Sequence, residues 1–340
     1  MKIAYWLLGI CLLVFLMVVI GGVTRLTGSG LSMVEWKPVT GFIPPFTQSD
    51  WQTLFDSYRQ YPEFLKVNRG MDLAGFKGIF WLEFIHRVLG RLIGLAFLLP
   101  FLFFLIRGMI PKNLTPKLIA MFILGGLQGL LGWYMVKSGL VNDPHVSQYR
   151  LTAHLMLAVA IYSYILWTAL DLIADVKPVT GFTTDILKLP GKTLMLLIFV
   201  IVTMVSGGFV AGLKAGLIYN TFPLMGDSLI APGVYAMQPW YLAMLEDAIT
   251  VQFNHRLLAL TTFFLIIAIY LYQLRLILPS RTKMLFNFVL IASVLQVILG
   301  ISTLLLRVPV AIAASHQAVA LVLLTILILL LHHLKNIKPV

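Results

Sequence analysis

The chain predicts an all-α polytopic membrane protein, with eight transmembrane helices as two pseudo-two-fold related four-helix bundles. Three observations carry that prediction. Of the 340 residues, 60% are hydrophobic and only 11% charged, where a soluble domain carries about 25% charged residues. The apolar residues gather into eight runs, each long enough to cross a hydrocarbon core of about 30 Å. The second half of the chain also repeats the first in matching pieces and in the same order.

The runs fall at 4–22, 83–106, 117–137, 151–172, 190–212, 253–274, 284–306 and 312–334. In the first, Ala4 to Gly22 gives 19 residues without a charge, the length of a span rather than of a cleavable leader. There is no Arg-rich, Ser-rich transit segment, so the expected location is a bacterial plasma (inner) membrane or, after processing, an organellar one. The single cysteine, Cys11, allows no intrachain disulfide and no Cys-based metal site. It is expected to pack as an apolar residue.

The net charge of +12 would suggest nucleic acid in a soluble protein. Here the charges sit in loops and read as topology, so no nucleic-acid partner is expected and the lipid bilayer is. Arg107, Lys112 and Lys117 in one turn, and Arg275, Arg281 and Lys283 in another, have no acid beside them. Short loops rich in Lys and Arg face the cytoplasm, which puts both termini inside. The long segments 23–82 and 213–252 then lie outside. They are punctuated by Trp36, Pro38, Pro44 and Pro45 in the first and by Asn220-Thr221-Phe222-Pro223-Leu224-Met225 in the second. Irregular chain with short helices, capping the bundles, is expected there.

The repeat divides the chain into a domain at 1–175 and another at 176–340. Gly21-Gly22-Val23 returns as Gly207-Gly208-Phe209. Glu83-Phe84-Ile85-His86-Arg87 returns as Gln252-Phe253-Asn254-His255-Arg256, and His154 returns as His316. Both halves enter the membrane in the same direction, so the repeat is parallel, about an axis along the membrane normal.

Ionisable residues at membrane depth mark a functional site. His86, His154, His255 and His316 each open a helix, within about a turn of its start, at similar depth near the outer face. Two per half on parallel helices match an iron held between two imidazoles. Zinc and copper sites take three or four close ligands and fit less well. A purely structural role, in which a buried His hydrogen-bonds across helices, is the alternative for each one singly. Arg87, Arg91, Arg150 and Arg256 lie beside or one turn from these histidines. Haem carries two propionates, and Arg pairs with carboxylates through a planar fork. Snorkelling to lipid headgroups is the competing reading for each arginine. His145 is expected in a loop, and His332 and His333 at the membrane interface.

The two halves are unequal. Glu83 lies three residues before His86, on one helix face, and its counterpart is Gln252. Arg91 corresponds to Leu260, and Arg150 to Ile312. Proton-coupled chemistry needs a group that gains and loses a proton, whereas a haem held for electron transfer does not. The first half is therefore expected to host a reaction, with Glu83, His86 and His154 as its catalytic set, and the second to hold a fixed haem. A carboxylate favoured by a helix N-terminus is the plainer reading of Glu83.

With these residues in view, the chain resembles the haem A synthase family of cytochrome oxidase assembly. The resemblance covers nearly the whole chain, through Gly21 to Ser32, Glu83 to Arg87, Asn220 to Met225, His255 and His316. It implies oxidation of the C8 methyl of haem O to a formyl group, by successive hydroxylations to a gem-diol that loses water. It implies haem O as substrate between His86 and His154, and haem b between His255 and His316 delivering electrons. Glu83 matches the family's important carboxylate. Haem O synthase is implied as the substrate donor, the electron donor is unknown, and a homo-oligomer is left open. Some members carry a cysteine pair in the first outer loop. This chain has none, which places it with the proteobacterial and mitochondrial branch. A di-haem b-type cytochrome that transfers electrons without modifying haem, and a haem transporter, are the other readings. The Glu83/Gln252 difference speaks against a simple electron wire.

Overall fold

In a computed structural model of the chain, every apolar run is a helix. The structure describes residues 1–35, 41–141, 144–174, 178–179 and 184–339. Trp36 and Pro38, noted in the first long connecting segment, lie outside the described residues. Eight helices are long and apolar enough to cross a membrane. They are α1 (Lys2–Leu26), α4 (Leu73–Ile106), α5 (Thr115–Lys137), α6 (Gln148–Ile173), α7 (Leu189–Gly212), α9 (Ala248–Leu274), α10 (Ser280–Leu305) and α11 (Val310–Lys335). Three short helices sit in the long connections: α2 (Gln48–Tyr58), α3 (Pro62–Lys66) and α8 (Trp240–Glu246). A two-residue parallel pairing, Pro178–Val179 with Lys338–Pro339, is the extended structure among the described residues.

The chain forms two compact units. One is Gly9–Tyr162; the other is Met1–Leu8 together with Ser163–Val340. The helices α4 and α5 and most of α1 and α6 supply the first unit, while the start of α1 and the end of α6 join α7, α9, α10 and α11 in the second.

The one large departure from expectation is the start of α4. The apolar run suggests a beginning near residue 83, but the helix begins at Leu73, where the Asp72 carboxylate accepts from the Gly75 N–H at 2.8 Å. At 34 residues, α4 is about 51 Å long, well beyond the hydrocarbon thickness. Its added turns carry Phe76 and Phe80, in helical register with Phe84. These pack against Trp51, Phe55 and Tyr58 of α2 and Phe64 of α3. Phe76 is fully buried, and burying such a side chain stabilises by roughly 1.5–3 kcal/mol. Trp51 meets Phe80 edge-on at 5.0 Å, and Phe80 stacks on Phe84 at 5.8 Å. Thr47 and Asp50 form a capping box at the start of α2, and the Thr47 N–H and hydroxyl hold the Asp50 carboxyl below its usual range. The Tyr58 hydroxyl donates to Glu63 and accepts from Asn68, and burial raises its phenol above the usual range. This aromatic cap holds the extra helix in place.

In the second unit, Asp247 caps α9 by accepting from Thr250 N–H and hydroxyl at 2.8 and 2.6 Å. Asn220 donates to the carbonyls of Gly216 and Leu304, both at 2.8 Å, and so ties the connection after α7 to the end of α10. His332, in the last turn of α11, is buried, with Nε2 3.0 Å from Asp171 and its ring edge-on to Trp167.

Candidate functional site

Each of the four candidate histidines lies against a glycine on the membrane helix before its own. A Cβ at Gly21 on α1 would stand 3.0 Å from His86 Nε2, and one at Gly132 on α5 would stand 2.9 Å from His154 Cε1. In the second unit, a Cβ at Gly207 on α7 would stand 3.2 Å from His255, and one at Gly300 on α10 would stand 2.9 Å from His316. Glycine is what lets helix backbone and imidazole approach this closely. His154, His255 and His316 lie about two turns into their helices, and His86 more than three turns into α4, because α4 starts ten residues early. The expectation that each histidine opens its helix is therefore corrected.

Two of these glycines belong to a second repeat that the histidine pattern hides. Gln128-Gly129-Leu130-Leu131-Gly132 returns as Gln296-Val297-Ile298-Leu299-Gly300. Gln128 Nε2 donates to the His154 carbonyl at 3.0 Å and lies 3.5 Å from its Nε2. Gln296 Nε2 lies 3.4 Å from His316 Nε2. A Gln at fixed distance from a Gly in a polar-poor helix was the available signal.

The histidine pairs differ in how their rings are held. In the second unit, Ser206 donates its one hydroxyl hydrogen to the Thr203 carbonyl at 2.8 Å. At 2.8 Å from His255 Nδ1 it therefore accepts, which puts the ring proton on Nδ1. His316 Nδ1 lies 3.2 Å from the Gln296 carbonyl, which can only accept. Both rings thus carry N–H on Nδ1 and keep the Nε2 lone pair for a metal, the usual support for a ligating His. In the first unit the two rings are held differently. The Gln128 carbonyl acts on His154 as the Gln296 carbonyl acts on His316, and Gln128 Nε2 lies 3.5 Å from the His154 Nε2, whereas no ring hydrogen bond holds His86 among the described residues. The position equivalent to Ser206 is Ile20.

Within each pair, the two imidazoles lie near one another. Among the described residues, no three His, Cys, Asp or Glu side chains gather into a metal site. Two neutral imidazoles per unit fit an iron whose other ligands come from a porphyrin, and they fit a protein-only zinc or copper site poorly. The residues present therefore suit haem.

Glu83 and the paired arginines hold the connection after the first helix of each unit. Glu83 is 2% exposed. Its Oε2 accepts from Ser32 Oγ at 2.7 Å and Met33 N–H at 2.9 Å. Its Oε1 accepts from Arg87 Nε and Nη2 at 3.0 and 2.6 Å. Arg87 also donates to the carbonyls of Met33 and Glu35, at 2.8 and 3.0 Å. The second unit repeats the clamp. Arg256 donates to the carbonyls of Tyr219 and Thr221, at 2.8 and 2.9 Å, and Gln252 donates to Tyr219 at 3.0 Å. The amide leaves orphans, since Gln252 Oε1 and Arg256 Nε are buried without partners. Of the other arginines, Arg91 lies over the Phe42 ring at 5.4 Å. Arg150 lies over the Tyr134 ring at 3.7 Å and donates to the Tyr134 carbonyl at 2.9 Å.

A family model described as "Cytochrome oxidase assembly protein", COX15-CtaA, matches residues 4–328. A heme A synthase of Nitrosospira multiformis is 50% identical over 336 residues, 98% of this chain and 94% of that one. A heme A synthase of Paramagnetospirillum magneticum is 48% identical over 333 residues, 98% and 93% of the two chains. The Arabidopsis thaliana protein named heme A synthase COX15 is 44% identical over 342 residues, 98% of this chain and 75% of that one.

Proposed function

The chain belongs to the COX15-CtaA family of cytochrome oxidase assembly proteins, and from that premise we propose that it is a haem A synthase. In this reading the first half binds haem O and oxidises its C8 methyl to a formyl group, by successive hydroxylations to a gem-diol that loses water. The second half holds a haem b. Both termini face the cytoplasm, the haem sites lie toward the outer face of a bacterial inner membrane, and haem O synthase is the substrate donor.

One observation carries the division of labour. The two units share the four-histidine, four-glycine frame, but among the described residues only the second adds a side-chain hydroxyl on a ring, Ser206 at His255 Nδ1, where the first has Ile20 at the equivalent sequence position and His86 has no ring hydrogen bond. Anchored ligands suit a group that stays, and unanchored ones suit a group that enters as one haem and leaves as another. A ring able to leave a bound iron would be of use in the first half, and His86, without a ring hydrogen bond among the described residues, would be the one able to do so.

When bound between His255 and His316, haem b would supply one-electron transfer. The chain's own parts do the rest. Ser206 and the Gln296 carbonyl fix the tautomer of that pair. Glu83, three residues before His86 on the same helix, is the group proposed to hold and pass a proton. Because its charge also accepts from Ser32, Met33 and Arg87, taking up a proton would loosen the turn at Ser32–Met33.

The test is pigment extraction after coexpression with a source of haem O. The proposal expects haem A to accumulate under air and reductant. Haem O left unchanged by the wild-type chain would overturn it.

A further inference from the structure

A cavity of about 490 Å³ opens on the first unit between the end of α5 and the start of α6, lined by Trp133, Tyr134, Lys137 and Arg150 among others. We propose that this cavity is an anion site for the carboxylates of the substrate porphyrin, with Lys137 and Arg150 as the residues that take them. The assignment rests on the substrate-site reading above and names the part of it that recognises the porphyrin edge.

Position is the first argument. Arg150 and His154 are four residues apart on α6, so they share a face and are separated by about 6 Å along the axis. Gly132, which touches the His154 ring, immediately precedes Trp133 and Tyr134 on α5. The cavity therefore lies about one helical turn from the candidate ligand.

Its chemistry is the second. The Arg150 guanidinium is held flat over Tyr134 at 3.7 Å, with Nη1 on the Tyr134 carbonyl. That contact uses one of five N–H donors, and it presets the fork for a carboxylate without spending the rest. Lys137 Nζ stands 5.1 Å over the Trp133 ring. Among the described residues, no carboxylate pairs with either cation. Two preset cations beside two aromatic faces suit a flat ligand that carries two carboxylates.

The third argument is that only one half has it. At the equivalent positions the second half has Ile301, Ser302, Leu305 and Ile312 in place of Trp133, Tyr134, Lys137 and Arg150. The half that anchors His255 through Ser206 lacks these cations, and the half that leaves His86 unanchored has them. A substrate that must bind and leave is then held at its polar edge instead of through stiffened iron ligands.

The test uses the full chain carrying its resident haem, in nanodiscs of neutral phosphatidylcholine, so that the second site is filled. The probes are zinc protoporphyrin IX and its dimethyl ester, whose metal an imidazole can ligate, followed by porphyrin fluorescence. Wild-type protein is expected to bind the free acid about tenfold or more tightly over the ester, the scale of charge-assisted hydrogen bonds. The double variant Lys137→Leu/Arg150→Ile, which borrows the second half's own residues, is expected to lose that preference. An unaltered resident-haem spectrum shows that the variant is folded. A preference that survives the double substitution overturns the assignment while leaving the substrate site standing. If adding phosphatidylglycerol abolishes the wild-type preference, the cations serve lipid phosphate and the assignment also falls. If neither porphyrin binds the wild type, or if His154→Ala leaves porphyrin binding unchanged, the substrate-site reading itself fails.

Discussion

At position 83 a carboxylate meets four donors, and at position 252 an amide leaves one of its atoms and one arginine nitrogen unpaired. An unpaired buried polar group costs roughly 1–3 kcal/mol, so the second half accepts a poorer clamp. That contrast makes Glu83→Gln informative. The amide already occurs at the matching site, so the fold and the haem b spectrum should persist. Haem A formation should fall by about 10²-fold or more, the usual cost of losing a proton-transferring group. Normal haem A from that variant would remove Glu83 from the chemistry. Ser206→Ala makes the complementary prediction. Losing a ligand's outer support typically costs 10–100-fold in affinity, so the purified variant should retain far less haem b. Full occupancy would sink the anchoring argument. The histidines themselves were legible in the sequence, because an ionisable group stands out in an apolar run. Ser206 was not, because a serine in such a helix more often bonds its own backbone, and this one does that as well.

At the scale of elements, the close approach of helix and imidazole is the controlling feature. Gly300→Ala would force a methyl to within 2.9 Å of His316 and should strip haem b. Gly132→Ala, at the same distance from His154, should spare haem b and lower haem A. Gly129→Ala on the same helix is the control, since nothing lies within 4 Å of its added Cβ. It should leave both pigments in place, with a gain in helix propensity of up to about 1 kcal/mol. Equal pigment content in all three variants would show that the glycines do not set the ring positions. Seven of the eight long helices could be placed to within a few residues from hydropathy alone. The start of α4 could not, because its first turns lie beyond the apolar run and are held by packing against α2 and α3. Tertiary contact with Trp51, Phe55 and Tyr58 decides that boundary, and a window of hydropathy cannot see it.

For the whole molecule, the internal repeat was the most legible feature, because the same residues return in the same order. What the repeat conceals is the difference in use. Two units with nearly the same frame diverge at Ile20 against Ser206, Glu83 against Gln252 and Arg150 against Ile312. Each change removes support for a fixed ligand, or adds charge, in the first half. The central claim is that the halves hold different haems for different purposes. It is tested most directly by chromatographing the pigments of His154→Ala and His316→Ala proteins, each purified after coexpression with a haem O source. The account predicts that His316→Ala loses haem b, and that His154→Ala keeps haem b at wild-type occupancy but contains no haem A. Loss of haem b from His154→Ala with its retention in His316→Ala, or the same pigment content in both, would contradict it.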